Sequence, residues 1–173
     1  MEKVEGKPKL EEFIRVSEVD ALLIEKGESQ RTLHAHELLK GLGFDVKPQQ
    51  MIKALVCIPV VNGFPLIDRA VLAMVAGCDR LDLGKLARAT SCDKVVIADQ
   101  ATAERLSGYP RGGTPPIGHA HAFRIVMDPV LAGQPVLFGG GGETTKVLRI
   151  APGEIRRAAL LRGEVFSEAD IRE

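Results

Sequence analysis

Short apolar segments separated by turn residues run along the whole chain, and their spacing predicts strands interleaved with helices. Asn62-Gly63 predicts a hairpin between the two longest apolar runs. Thr32, Asp82 and Asp99 are predicted to cap helices, the last of which ends before Gly108. Further helices are expected near 10–14 and over 153–161. The predicted strands cover 21–24, 51–61, 66–76, 94–98, 123–127, 136–138 and 146–150.

Strand pairs joined by hairpins and interleaved with short helices predict a mixed α/β or α+β fold with one curved sheet. The 173 residues fit a single domain, 1–173, and 45% hydrophobic residues are enough to bury one core. Short charged termini should flank it, and the Glu/Arg-rich C-terminal end is expected to be solvated.

The charge balance and the cysteines narrow the class of protein. With 23 basic and 23 acidic residues, broad gripping of nucleic acid is not expected, although contact with a nucleic-acid end stays open. Cys57, Cys78 and Cys92 are widely spaced and no signal peptide is expected, so the sequence predicts a reduced, cytoplasmic protein. No apolar run is long enough to cross a membrane, so a membrane is not expected among the partners.

Residues 108–119 contain four glycines and three prolines within twelve residues. Proline fixes φ and removes a donor, while glycine lets another molecule approach the backbone closely. An apolar run follows at once, so the pattern predicts a rigid loop that forms the wall of a site. A tight surface connection without a ligand is the alternative.

Lys53 is the most informative single charge, because it lies near the start of a predicted buried strand. Burial disfavours an ammonium unless it reaches a partner, which makes Lys53 a candidate to bind a phosphate or a developing oxyanion. The alternative is that it extends to the sheet edge.

The run Gly139–Gly142, followed by Glu143-Thr144-Thr145, offers several bare amides that can cradle an anion, although it lacks a P-loop ending. A mobile hairpin connection is equally compatible with the pattern.

Neither metal nor covalent chemistry is indicated. His34/His36 and His119/His121 form two HxH pairs, but no carboxylate or cysteine stands at the usual zinc spacing, so no metal and no cofactor are predicted. There is no GxSxG elbow, which favours catalysis by positioning and electrostatics over a covalent intermediate.

Four features together resemble the YbaK/ProX family of aminoacyl-tRNA editing domains. They are Met51-Ile52-Lys53-Ala54-Leu55-Val56, Gly77-Cys78-Asp79-Arg80-Leu81-Asp82, the loop 108–119 and Asp128 after its strand. The resemblance covers about 20–156. The inserted Cys78, the Thr114-Pro115-Pro116 sequence and the absence of a tyrosine on the first strand depart from cysteine-editing members, so the resemblance does not fix the amino acid removed.

The resemblance implies a mixed sheet with flanking helices and a trans-acting deacylase, which hydrolyses the ester between a wrong amino acid and the 3′-terminal adenosine of tRNA. The tRNA acceptor end is the expected partner, and a prolyl-tRNA synthetase partner and a homodimer both stay open. A noncatalytic module that binds tRNA ends or a synthetase is the alternative. The expected catalytic residues are Lys53, Gly112 and Gly113, and the expected substrate-binding residues are Thr114, Pro115, Pro116, Gly118, His119, Gly140 and Gly141.

Overall fold

The computed structural model describes residues 10–29 and 31–173, so the charged N-terminal segment predicted above lies outside the described residues. Helices and strands alternate, which confirms the mixed α/β class. The helices are α1 Leu10–Val16, α2 Thr32–Gly41, α3 Leu83–Ala89, α4 Gln100–Ser107, α5 Pro129–Ala132 and α6 Pro152–Leu161. The strands are β1 Ala21–Glu25, β2 Ile52–Val61, β3 Phe64–Pro65, β4 Val71–Ala76, β5 Lys94–Ile97, β6 Arg124–Met127, β7 Leu137–Gly140, β8 Lys146–Ile150 and β9 Val165–Glu168.

The strands form two sheets, which corrects the expectation of a single one. The smaller sheet has the order β1-β8-β7 and is antiparallel throughout. The larger sheet has the order β3-β2-β4-β6-β9, with β5 also paired to β2, and it is parallel only from β4 to β9. A single bridge between Met51 and Phe138 joins the two. Apolar runs show that strands are covered, but they do not show which strands pair.

The centre of the larger sheet is β4, in which all six residues are buried. Because successive side chains in a strand point to opposite faces, β4 contributes to two cores. Leu72 and Met74 pack into the core that also contains Leu148 of β8 and Ile155 of α6. Side chains from the alternate positions pack with Leu86 of α3 on the other face.

Two of the predicted helix caps are confirmed. Asp82 and Asp99 each accept a hydrogen bond from the backbone N–H three residues later. Gly108 ends α4 in the left-handed region with φ 85°, where glycine is favoured. Thr32 is the first helical residue of α2 instead of its cap. A turn of 3-10 helix at Ile67–Arg69 interrupts the strand predicted over 66–76.

The C-terminal end is part of the fold, so the expectation that it is solvated is wrong. Strand β9 pairs in parallel with β6, and Ile171 beyond it is fully buried. The buried Asp128 carboxylate accepts from the Ile171 N–H at 3.1 Å and from Nη1 of Arg172 at 2.8 Å. Across the described ranges, no helix has the length and apolar character needed to span a membrane.

Candidate functional site

An open cavity of about 760 Å³ follows one edge of β2. Six consecutive residues, 51–56, line it. Successive side chains of a strand point to opposite faces, so only a cavity that runs along the strand edge can contact all six. On the opposite edge β4 pairs with β2 from Ile52 to Cys57, whereas β5 begins to pair only at Cys57. The cavity therefore occupies the gap that β5 and β7 leave beside β2.

The other walls come from the start of α2, from α4, from the loop after α4 and from the hairpin between β7 and β8. Thr32, Ala103, Gly112, Thr114 and Gly140 represent these segments in the lining. Elements from both sheets thus meet at one opening.

Four of the ten predicted site residues line this cavity: Lys53, Gly112, Thr114 and Gly140. The other six are buried and stand behind the lining, and their direct contact with a substrate stays a prediction. These are Gly113, Pro115, Pro116, Gly118, His119 and Gly141.

Lys53 is half-buried, and its Nζ donates a hydrogen bond of 2.7 Å to the Asp79 carbonyl oxygen. An ammonium has three donors, so this contact leaves others for a ligand. The turn that carries Asp79 is packed tightly, since a Cβ added at Gly77 would come 2.6 Å from Thr32. The ammonium is thus anchored at the cavity by a fixed carbonyl.

The loop 108–119 is braced from within, as expected for a rigid wall. The Tyr109 hydroxyl donates to the Gly118 carbonyl at 2.8 Å, and Nε2 of His119 donates to the Pro115 carbonyl at 2.5 Å. Burial lowers the pKa of His119 to about 4, so the ring is neutral near pH 7. Burial also raises the pKa of Tyr109 to about 12. Both side chains therefore hold the loop as neutral donors.

The glycine run serves close packing, and a role of its amides in anion binding stays a prediction. A Cβ at Gly140 would overlap the Thr114 carbonyl, and one at Gly141 would come 2.6 Å from the Lys146 backbone. Two of its amides are also in use: Gly141 N–H donates to the Lys146 carbonyl and Gly142 N–H donates to the Gly113 carbonyl. The run lets the loop lie directly on the β7–β8 hairpin.

The two amides expected to bind an oxyanion differ in availability. The Gly113 N–H donates to the Pro110 carbonyl at 2.9 Å, so it closes a turn and is not open to a ligand. Gly112 has φ 83° and lines the cavity. Among the described residues, no acceptor bonds to the Gly112 N–H. The Gly113 N–H is thus already bonded within the loop, and donation from Gly112 to an oxyanion stays a prediction.

Lys26 also lines the cavity, although it is not among the site residues predicted from the sequence. It is 7% exposed, and its Nζ donates to the carbonyls of Thr144 at 2.6 Å and Gly27 at 3.0 Å. Burial lowers its pKa, an effect that nearby Glu28 opposes. The period of two that continues from buried Ile24 of β1 would have placed Lys26 on the buried face.

Positive charge is concentrated at the cavity, although the chain as a whole is neutral. One of the lining cations, Lys146, is held by ion pairs to Glu11, Glu25 and Glu143. The excess suits an anionic ligand such as a phosphate. The cationic lining residues are Lys26, Arg31, Lys53, Arg111 and Lys146, and the anionic ones are Glu37 and Glu104.

The histidine pairs lie apart from any cluster of metal ligands. His34 is exposed on α2 and lines the cavity, whereas Nε2 of His36 bonds to the Val46 carbonyl at 2.6 Å. Within 10–29 and 31–173, no three His, Cys, Asp or Glu side chains come together in a way that could hold a metal ion.

The protein-family model of the aminoacyl-tRNA editing domain matches residues 29–158, which include most of the cavity lining. The chain belongs to this family. The match confirms the resemblance drawn from the Lys53 strand and the 108–119 loop. A curated relative from Enterococcus faecalis (strain ATCC 700802 / V583), named "Putative Cys-tRNA(Pro)/Cys-tRNA(Cys) deacylase EbsC", is 28% identical over 145 residues, covering 84% of this chain and 82% of the relative.

Two solved structures share the fold. A crystal structure of a "putative trans-editing enzyme for prolyl tRNA synthetase" is 28% identical with a TM-score of 0.70, covering 88% of this chain and 87% of that one. The hypothetical protein APE2540 is 25% identical with a TM-score of 0.76, covering 95% of this chain and 99% of that one. The overall fold is therefore shared with these two proteins.

Proposed function

We propose that this chain is a trans-acting aminoacyl-tRNA deacylase, which releases wrongly attached amino acids from tRNA. Membership of the editing-domain family supports it. The observation that carries it is the convergence of Lys53, Gly112 and Thr114 on one cationic cavity. The ammonium of Lys53, the open amide of Gly112 and the polar side chain of Thr114 have a joint explanation if this cavity receives an anionic aminoacyl-tRNA end.

In the proposed reaction, water attacks the carbonyl carbon of the aminoacyl ester. The bond from that carbon to the ribose oxygen breaks, the ribose oxygen takes a proton, and the products are the free amino acid and the deacylated tRNA with its terminal hydroxyl restored. The open Gly112 N–H donates to the oxyanion that develops on the carbonyl oxygen. The anchored Lys53 ammonium binds the terminal phosphate or the ester region as a point charge.

For the substrate, we propose a tRNA that a prolyl-tRNA synthetase has mischarged. The names of two similar proteins support this choice, since one refers to Cys-tRNA(Pro) and the other to prolyl tRNA synthetase. A direct partnership with that synthetase is a further part of the proposal. We place the reaction in the cytoplasm, a setting in keeping with Cys57, Cys78 and Cys92 as free thiols.

The test is single-turnover deacylation of a panel of mischarged tRNAs, which includes tRNA(Pro) carrying cysteine, alanine or serine. The wild-type chain should hydrolyse at least one, with and without a strong chelator. Lys53→Ala should lower the rate by about 10²–10³-fold, whereas Lys94→Ala, which changes an exposed lysine on β5, should leave it unchanged. Binding of the tRNAs without hydrolysis of any of them would favour the noncatalytic module instead.

A further inference from the structure

We propose that the backbone N–H and C=O of Ala54 hold the terminal adenine of the tRNA through hydrogen bonds to the Watson–Crick edge of that base. This inference rests on the proposed deacylase function and adds to it the means by which the last base is held. It follows from the direction of two backbone groups and from what lies around them.

The N–H and C=O of Ala54 point away from β4. In an antiparallel pair, hydrogen-bonded and non-hydrogen-bonded positions alternate along the strand. The Met51 carbonyl accepts from the Gly77 N–H across the β4 side, so positions 51, 53 and 55 face β4. The Val56 carbonyl accepts from the Ala98 N–H on the opposite side. Both bonds agree that the backbone groups at even-numbered positions of this stretch point away from β4. The N–H and C=O of Ala54 therefore point into the cavity.

No strand within residues 10–29 and 31–173 covers this position. Strand β5 pairs with β2 only from Cys57 onward, and β7 approaches through the single bridge at Met51. In the described part of the chain, no backbone bond to Ala54 exists outside the β-ladders. A donor and an acceptor therefore stand side by side on an open edge that lines the cavity.

The shape of the gap selects the kind of ligand. An added peptide strand would need a long open edge, but only the short stretch between Met51 and Val56 is uncovered. A group that bonds to the edge lies in the plane of the sheet, with side chains above and below it. Leu55 and Ile97 line the cavity on one face of this plane, and Ala98 and Ala103 line it on the other. The open edge at Ala54 therefore offers a polar donor and acceptor, with apolar lining residues on both faces of the sheet.

A purine base fits that description. The exocyclic amino group of adenine can donate to the Ala54 carbonyl, while its ring N1 accepts from the Ala54 N–H. Lys53 and Arg111 line the same cavity and supply positive charge for the phosphate attached to the nucleotide. The ester and the base would then be held by different parts of one cavity, the loop and the strand edge.

The first measurement is a titration of the ¹⁵N-labelled chain with adenosine 5′-monophosphate, followed by amide NMR. The Ala54 amide proton should move downfield as its N–H bonds to N1. Purine riboside 5′-monophosphate, which lacks the amino group, should bind several-fold more weakly. An unmoved Ala54 amide, with or without shifts elsewhere, overturns the inference, and so does equal binding of the two nucleotides.

The second measurement separates this inference from the deacylase proposal. Mischarged tRNAs ending in 1-deazaadenosine, which lacks N1, should be hydrolysed with a kcat/KM about three- to tenfold lower, the usual value of one neutral hydrogen bond. Those ending in 7-deazaadenosine keep both groups and should react like the natural tRNA. Equal rates for both analogues would overturn base recognition while leaving the deacylase intact. If no tRNA is hydrolysed, the deacylase proposal fails, and the nucleotide titration alone decides the role of Ala54.

Discussion

Gly140 of β7 and Thr114 of the loop after α4 pack backbone against backbone, so closely that a Cβ at position 140 would overlap the Thr114 carbonyl. Both residues line the cavity. Because the overlapping atoms belong to the backbone, they cannot move aside as the end of a flexible side chain would. The position of the loop wall therefore depends on the absence of a side chain at Gly140.

We predict that Gly140→Ala displaces the loop and lowers both stability and deacylation. Overpacking of this kind typically costs about 1–3 kcal/mol. Gly41→Ala is the matched control, because it adds the same methyl at the end of α2, where nothing lies within 4 Å. Thermal midpoints and single-turnover rates of the two variants test this. A Gly140→Ala protein as stable and active as the control would show that the loop does not depend on this contact.

The buried ring of His119 predicts that acid destabilises the fold. Its pKa is about 4 in the folded chain against an ordinary value of 6.5, because burial disfavours the charged ring. The unfolded chain therefore binds more protons between these two values. Stability is full above about pH 6.5 and falls as the pH drops towards 4, by about 3 kcal/mol at most.

His119→Gln should remove this part of the pH dependence. The glutamine amide can still donate to the Pro115 carbonyl, but it does not titrate. Denaturant unfolding between pH 4 and 7 measures the slope for each protein. His34→Gln, which changes an exposed histidine, should keep the wild-type slope. An unchanged slope in His119→Gln would mean that this ring does not contribute to acid sensitivity.

Ile171 predicts that the C-terminal end is necessary for stability. It is fully buried in the core under α3, so Ile171→Ala should cost about 2–5 kcal/mol, the usual range for removing this much buried side chain. Val165→Ala, at a position that is 60% exposed, should change stability by less than about 0.5 kcal/mol. Chemical denaturation of both variants decides. Equal stability would mean that the end does not pack in solution as it does here.

The features that were predictable from the sequence depend on neighbouring residues. Asp82 and Asp99 cap their helices by bonds that reach only three residues ahead, and Gly108 adopts the left-handed conformation that ends α4. Lys53 could be singled out because a lysine in an apolar strand is costly in any fold. The glycines and prolines of 108–119 likewise indicated a rigid loop, because their backbone preferences are local and do not depend on distant partners.

The features that were not predictable depend on distant pairing. Strand β9 forms by pairing with β6, about forty residues away, and carries no strong apolar alternation of its own. The division into two sheets reflects which strands meet, a property that local patterns do not encode. The Gly113 amide looked available until its bond to Pro110 was seen, because a sequence does not show which donors are already in use.

The last prediction concerns Lys53. Lys53→Ala removes an ammonium that is anchored to the Asp79 carbonyl at the cavity, and it should lower single-turnover deacylation by about 10²–10³-fold, as the loss of one preorganised electrostatic contact does. Stability should change little. The lost hydrogen bond is worth about 1 kcal/mol, and relief from holding a half-buried charge offsets it.

This combination of a large kinetic effect with a small change in thermal midpoint separates a catalytic lysine from one that only supports the fold. Lys94→Ala removes the same ammonium from an exposed position on β5, and it should affect neither quantity. Loss of rate together with a large fall in thermal midpoint would point to a structural role at the turn that carries Asp79. Full activity in a well-folded Lys53→Ala protein would remove Lys53 from the mechanism and leave Gly112 as its remaining proposed donor.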